Sequence, residues 1–189
     1  MARTAKMIMI IGANGTGKTT LLKNILAMSG QRALVIEPDD TEWNDKDAYG
    51  NEMYPENQLL SRQDYVFTGV QKHIFGPRTL AAIKAFKKGI IVFDDCRTYL
   101  GDKTDEEIHD LMIRRRQRMV DFIAVTHSFT EMPRRFFPFT SDIFLFQTKD
   151  QIDMRASVAL NVNDLKRIQA EVNAEARTNK HYYKHISYE

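Results

Sequence analysis

The chain holds one cysteine, Cys96, in 189 residues. That excludes an internal disulfide framework and a four-cysteine zinc site. It leaves Cys96, behind an apolar run and two aspartates, as a buried small side chain. An excess of one charge is missing too. Lys and Arg number 27 against 25 Asp and Glu, a formal net charge of +2. The molecule is no polycation, so any grip on nucleic acid must come from a local basic surface or from several assembled copies. No apolar run approaches the roughly 20 residues that span a bilayer. Arg3 and Lys6 precede an apolar stretch in the manner of a signal peptide, but that stretch covers only Met7 to Ile11, meets Gly12 and has no cleavage pattern. The expected location is a reducing cytoplasm.

What is present is ordinary globular composition, 43% apolar and 28% charged, not the low hydrophobicity of a disordered chain. The length suits a single domain over 1–189 with one core. Within it, residues 161–189 read as a helix plus a terminal extension. No internal repeat or low-complexity segment interrupts the chain.

Short apolar runs at Met7–Ile11, Ala33–Ile36, Ile90–Phe93, Asp121–Thr126 and Asp142–Phe146 read as buried strands, with a further short strand at Asp64–Thr68. Helical patterns follow Lys18, run from Pro77 to Lys88 with Leu80, Ile83, Ala85 and Phe86 toward the core, open at Thr104, and cover Asn161–Ala176. Thr104 and Glu107 have the spacing of a capping box. Strands alternating with helices predict an α/β fold with a mainly parallel sheet and helices on both faces.

Gly12-Ala13-Asn14-Gly15-Thr16-Gly17-Lys18-Thr19 matches the Walker A pattern in full, between a buried strand and an amphipathic helix. Glycines let the backbone aim several N–H groups at phosphate oxygens, and the helix start adds its positive dipole end. Gly12 to Thr20 are therefore expected to hold ATP. Lys18 is expected on the β- and γ-phosphates and the Thr19 hydroxyl on Mg²⁺. Ile90 to Asp95 has the form of a Walker B strand. Asp94 is expected to hold Mg²⁺, and Asp95 to orient or deprotonate the attacking water.

Arg114, Arg115, Arg116 and Arg118 crowd the end of the helix that opens at Thr104. On a helical wheel Ile108, Leu111, Met112 and Met119 form a stripe, with Arg115 inside it and Arg116 and Arg118 flanking it. An arginine in an apolar stripe is costly unless paired or facing a partner. Arg134-Arg135-Phe136-Phe137 reads either as a DNA contact or as a packed loop. Trp43 and Tyr49 read as packing or base-stacking residues. The histidines of His181-Tyr182-Tyr183-Lys184-His185 lack a companion acid or cysteine at metal-ligand spacing, which leaves a terminal strand or a subunit contact.

Three further segments make the chain resemble the HerA–FtsK branch of P-loop ATPases. Val35-Ile36-Glu37-Pro38-Asp39-Asp40-Thr41-Glu42-Trp43 is similar to that family's second-strand motif, with Thr41 in place of glycine and Glu37 in place of aspartate. Val125-Thr126-His127-Ser128 is similar to its polar strand end, with His127 in place of glutamine. Arg116 falls on the family's conserved arginine. Asp95 stands where the family writes glutamate. The compact length resembles viral genome-packaging members, and the filamentous-phage assembly ATPases related to the cholera zonular toxin are neighbours. The resemblance implies a three-layer, RecA/ASCE-like P-loop NTPase fold and an ATPase that translocates or packages double-stranded DNA as a homo-oligomeric, hexameric ring. It implies that an arginine of this cluster, Arg116 first and Arg115 second, reaches the γ-phosphate of a neighbouring subunit and that Thr126 or His127 senses that phosphate. A viral capsid or portal component is an implied partner, in a host cytoplasm. A small-molecule kinase, or an ATP-binding assembly protein without turnover, stays open on the residues alone.

Overall fold

The computed structural model describes residues 4–57, 67–100, 102–152 and 161–188, with the side chains of 102–105 outside that description. The Thr104 side chain, expected as a cap, therefore lies outside the description, and the helix expected to open there already begins at Asp102; residues 64–66 of the strand expected at Asp64–Thr68 also lie outside it.

The apolar runs become strands because a strand covered on both faces needs no polar side. They are β1 (Met7–Ile11), β2 (Ala33–Glu37), β4 (Gly89–Phe93), β5 (Val120–Thr126) and β6 (Asp142–Phe146), and β2, β4 and β5 are buried throughout. Two further strands complete one seven-stranded sheet in the order β3-β2-β4-β5-β1-β6-β7. β3 spans Val70–Ile74 and pairs parallel with β2. The expected Asp64–Thr68 strand is thus corrected: Phe67 and Thr68 are not in a strand, and the pairing segment begins at Val70. β7 (Tyr183–Ser187) runs antiparallel to β6. The other neighbouring strands pair in parallel.

Helices cover both faces, giving the three-layer α/β P-loop NTPase fold. On one face Leu22 and Leu26 of α1 (Lys18–Ser29) pack on Ile10, Val35, Val92 and Val125, and the loop residue Trp43 joins them. On the other, Ala82 and Ile83 of α2 (Thr79–Ala85) join Ile108, Leu111 and Met112 of α3 (Asp102–Ile113) and Leu165 of α5 (Val162–Glu175). Phe136 and Phe137, in a 3₁₀ turn over Arg134–Phe139, fill the same layer. Those two rings are fully buried, whereas Arg134 and Arg135 beside them are exposed.

Two helix expectations need correction. The Pro77–Lys88 helix is shorter, Thr79–Ala85, and its buried face is Thr79, Ala82 and Ile83, with Leu80 and Ala85 half-buried. It stops because the Arg118 guanidinium takes its last carbonyls, Phe86 O at 2.6 Å and Ile83 O at 3.3 Å, together with Lys84 O. The stripe through Met119 also fails. The helix breaks at Arg114, and α4 (Arg115–Arg118) is a single turn ending on Met119 in the left-handed region, where its side chain is 54% exposed. Arg115 is satisfied within the chain: it donates to Met112 O at 3.0 Å and lies 5.0 Å from the Phe139 ring centre.

Candidate functional site

In parallel strands the C-terminal ends share one edge of the sheet, and ligands of open α/β sheets bind there. β1 delivers the phosphate loop to that edge, β4 delivers Asp94 and Asp95, and β5 delivers Thr126 and His127. The loop is pinned on both sides: Gly12 N–H donates to Thr126 O at 3.2 Å and Ala13 N–H to Gln147 O at 2.7 Å. Gly12 must be glycine because an added Cβ would lie 2.4 Å from the Cβ of Phe146 on β6. Gly17 opens α1 at φ +101°, a conformation L side chains rarely adopt.

These residues line a cavity of about 680 Å³. Asn14, Gly15, Gly17, Lys18, Thr19 and Thr20 form its floor, Asp94, Asp95, Thr126 and His127 one wall, and Glu37, Asp39 and Glu42 extend that wall. The structure thus brings together most of the sequence-predicted site residues. Ala13 contributes its carbonyl, which accepts from Lys18 Nζ at 3.0 Å and from the Thr16 hydroxyl at 2.8 Å.

The charges within the cavity hold one another. Lys18 Nζ lies 3.2 Å from His127 Nδ1. An ammonium only donates, so Nδ1 accepts and Nε2 carries the ring hydrogen. That nitrogen stands 3.3 Å from Asp95 Oδ1. Burial, then the Lys18 charge, pushes the His127 pKa down, favouring the neutral ring this arrangement requires. Burial likewise lowers the pKa of Lys18, against the pull of Asp94 and Asp95. Asp95 itself adopts the left-handed region at φ 43°, which aspartate tolerates better than most residues.

Two residues at the cavity, Arg97 in its lining and Glu131 behind it, escaped the sequence reading. Arg97 Nε lies 3.2 Å from Asp95 Oδ1, and its Nη1 donates to Glu131 Oε1 at 2.8 Å. Glu131 in turn accepts from the Thr126 hydroxyl at 3.4 Å. The contacts of Asp95 Oδ1 with Arg97 and His127 are within ion-pair range without hydrogen-bond alignment. No motif names Arg97 or Glu131; only their nearness to Asp95 in sequence and to Thr126 in the fold brings them in.

Trp43 is fully buried, so it is packing, and its indole N–H donates to Asp94 Oδ2 at 2.8 Å. Burial raises the Asp94 pKa to about 6 and that of Glu37 to about 7. Glu37 Oε1 is buried without a hydrogen-bond partner. Thr19 Oγ1 donates to Glu42 Oε2 at 2.7 Å. A hydroxyl, a buried carboxylate and an orphaned carboxylate oxygen beside a phosphate loop suit Mg²⁺, a hard cation that takes one or two carboxylates plus substrate phosphates. Among the described residues no three His, Cys, Asp or Glu side chains form a metal cage of their own. Thr19 and Asp94 are the residues that would hold it.

Arg116 is not brought to this cavity. α4 immediately precedes β5, so it lies at the opposite edge of the sheet, and β5, seven residues long, separates it from Thr126 by about 20 Å. Arg116 is exposed, and its side chain has no ion pair or hydrogen bond to the described residues.

No protein-family model matches the chain, and no curated protein matches it in sequence. Its fold is similar to that of the genome packaging NTPase B204 from Sulfolobus turreted icosahedral virus 2. The sulfate complex of that protein has a TM-score of 0.63 at 13% identity, covering 98% of this chain and 92% of that chain. Its AMPPCP complex gives 0.58 at 14%, covering 96% of each. B204 of Sulfolobus Turreted Icosahedral Virus, a DNA-packaging ATPase, gives 0.60 at 15%, covering 96% of this chain and 92% of that chain. At such identities the likeness is one of fold. Among the described residues no helix is long and apolar enough to cross a membrane.

Proposed function

We propose that this chain is an ATP-hydrolysing motor subunit of the HerA–FtsK type that packages or translocates double-stranded DNA. It works in the cytoplasm as a homo-oligomeric ring, taken as a hexamer and recruited by a viral capsid or portal component. One observation carries the reading: a phosphate loop, two strand-end aspartates and a polar strand end share one cavity, while an arginine whose side chain has no partner among the described residues stands at the far edge of the sheet. A group about 20 Å away cannot serve its own cavity, but in a ring it can serve a neighbour's. The fold shared with viral genome-packaging NTPases supports the same choice over a kinase.

In this reading the N–H groups of Gly12 to Thr20 hold the phosphates, and Lys18 leaves His127 and Ala13 for the β- and γ-oxygens. Bound Mg²⁺ supplies charge neutralisation on the triphosphate. The Asp95 carboxylate takes a proton from water as the water oxygen bonds to the γ-phosphorus. The bond to the bridging oxygen breaks, and ADP leaves with that electron pair. The His127 Nε2–H and the Thr126 hydroxyl sense the γ-phosphate. Arg116 of the next subunit stabilises the transferring group, a role worth roughly 10³–10⁵ in rate.

The test is ATPase rate against protein concentration, with and without double-stranded DNA, alongside Lys18→Ala and Arg116→Ala. Turnover should rise cooperatively with concentration and again with DNA, and both variants should abolish that rise. Turnover that ignores concentration and DNA while nucleotide still binds would replace the motor by an assembly switch.

A further inference from the structure

The cavity has two ends, and the proposed function uses only one. Along the sheet edge the acids and His127 come from β4 and β5, on one side of the phosphate loop. On the other side lie β6 and β7, and one cavity-lining residue comes from there: His181. It reaches the edge because β7 is antiparallel. Tyr183, the first residue of β7, pairs with Phe146, the last of β6, so the turn leading into β7 opens beside the loop.

That turn is firmly placed. Asn179 N–H donates to Glu175 O at 3.0 Å, Tyr182 N–H to Asn179 O at 2.9 Å, and His181 N–H to Asn179 Oδ1 at 3.1 Å. Behind it, the Tyr183 ring packs on Phe146 at 5.0 Å between centres. In front, it touches the loop at two points. Lys180 Nζ comes within 3.1 Å of the place a Cβ on Gly15 would take. His181 Nδ1 stands 3.1 Å from Thr16 O. A carbonyl only accepts, so Nδ1 carries the hydrogen, and in the neutral ring Nε2 is the acceptor left for a ligand.

We infer that His181 belongs to the nucleotide site and recognises the nucleoside end, its Nε2 accepting from a ribose hydroxyl or a base amino group. This rests on the reading of Gly12 to Thr20 as a nucleotide site. Lys18 and the aspartates fix where the terminal phosphate lies. A triphosphate running from there along the loop points its nucleoside away from β4 and β5. The turn before β7, two strands beyond β1 in the sheet, reaches back to touch the loop at Thr16 and so borders it on that side.

The experiment is calorimetric titration of Mg²⁺–ATP and of inorganic tripolyphosphate, which lacks a nucleoside, into the full chain, His181→Asn and Lys18→Ala. Asparagine keeps an N–H near the position of Nδ1 and deletes Nε2, and the exposed position keeps the fold safe. His181→Asn should weaken Mg²⁺–ATP roughly three- to tenfold, the worth of one hydrogen bond, and leave tripolyphosphate unchanged. Lys18→Ala should weaken both. If His181→Asn changes neither affinity, or weakens both alike, the inference is overturned while the phosphate site stands. If Lys18→Ala changes neither, the nucleotide-site reading itself falls and takes this inference with it.

Discussion

Glu37 should make the ligand-free protein less stable as pH rises, and Glu37→Gln should remove that loss. The side chain is 2% exposed. Burial is the largest influence on its pKa, and it outweighs the opposing pull of Lys72 and of the Glu42 N–H, while Asp40 and Asp94 add to it. The carboxyl therefore keeps its proton to about pH 7 when folded, against the ordinary 4.5. For a group whose folded pKa is raised, the folded state binds the extra proton, so stability is greatest below the unfolded value and falls through the window between the two. The separation from 4.5 to about 7, at ~1.4 kcal/mol per pH unit, amounts to ~3 kcal/mol. For a chain of this size that is about 6–12 °C in Tm.

The wild-type curve alone will not show it cleanly. His73 and His127 have pKa values pushed down, chiefly by burial, and such groups gain stability as pH rises toward their ordinary value. The difference between Glu37→Gln and wild type largely cancels them. The assay is a thermal melt of both proteins without nucleotide at steps from pH 4.5 to 8. The variant should match or fall below wild type at the acid end and gain on it steadily to about pH 7. A Tm difference that is flat across this range refutes the argument.

Other substitutions separate structure from function at single residues. Arg118→Met removes the donor to three backbone carbonyls at the end of α2 and should cost about 2–3 kcal/mol in denaturant melts; Arg116→Ala, with no such partner, should stay within about 0.5 kcal/mol of wild type. Equal losses in the two would contradict the division between them. Trp43 is the single tryptophan and donates to Asp94, so Mg²⁺–ADP should change its emission. An unchanged spectrum at saturation would count against Asp94 as the metal residue. Gly12→Ala forces a Cβ to within 2.4 Å of the Phe146 Cβ between two paired strands, and should cost roughly 1–3 kcal/mol or more; a wild-type Tm would refute that placement of β6.

The central strands were legible because burial on both faces writes itself as an uninterrupted apolar run, as in Gly89–Phe93. β3 was misplaced for the converse reason. It is an edge strand whose sequence, VQKHI, carries Gln71, Lys72 and His73, and Lys72 is bonded to Asp40 and Asn44 of the loop beyond β2. No apolar periodicity announces such a strand. The loop-and-acid cluster was legible since each of its motifs is local in sequence. Arg97 and Glu131 were not, because no motif marks them, and His181 was not, because it reaches the cavity only through the antiparallel pairing of β7 with β6. The wheel through Met119 failed at one residue, Arg114, where the helix breaks and the phase is lost.

The pairing inside the cavity bears on when Asp95 can act. Lys18 is held by His127, Asp95 lies beside His127 and Arg97, and Arg97 is held by Glu131. A γ-phosphate competes for the same donors: it offers Lys18 and Arg97 more negative charge than His127 or Asp95 does. In the proposed reading, a bound triphosphate would draw both cations toward the phosphate and away from Asp95. Arg97 is thus a cation already supplied within the subunit, on the same side of the phosphate as the base. In the proposed ring, the arginine from outside the cavity would be Arg116, whose side chain has no partner among the described residues and which stands at the opposite edge, where a second copy could bring it.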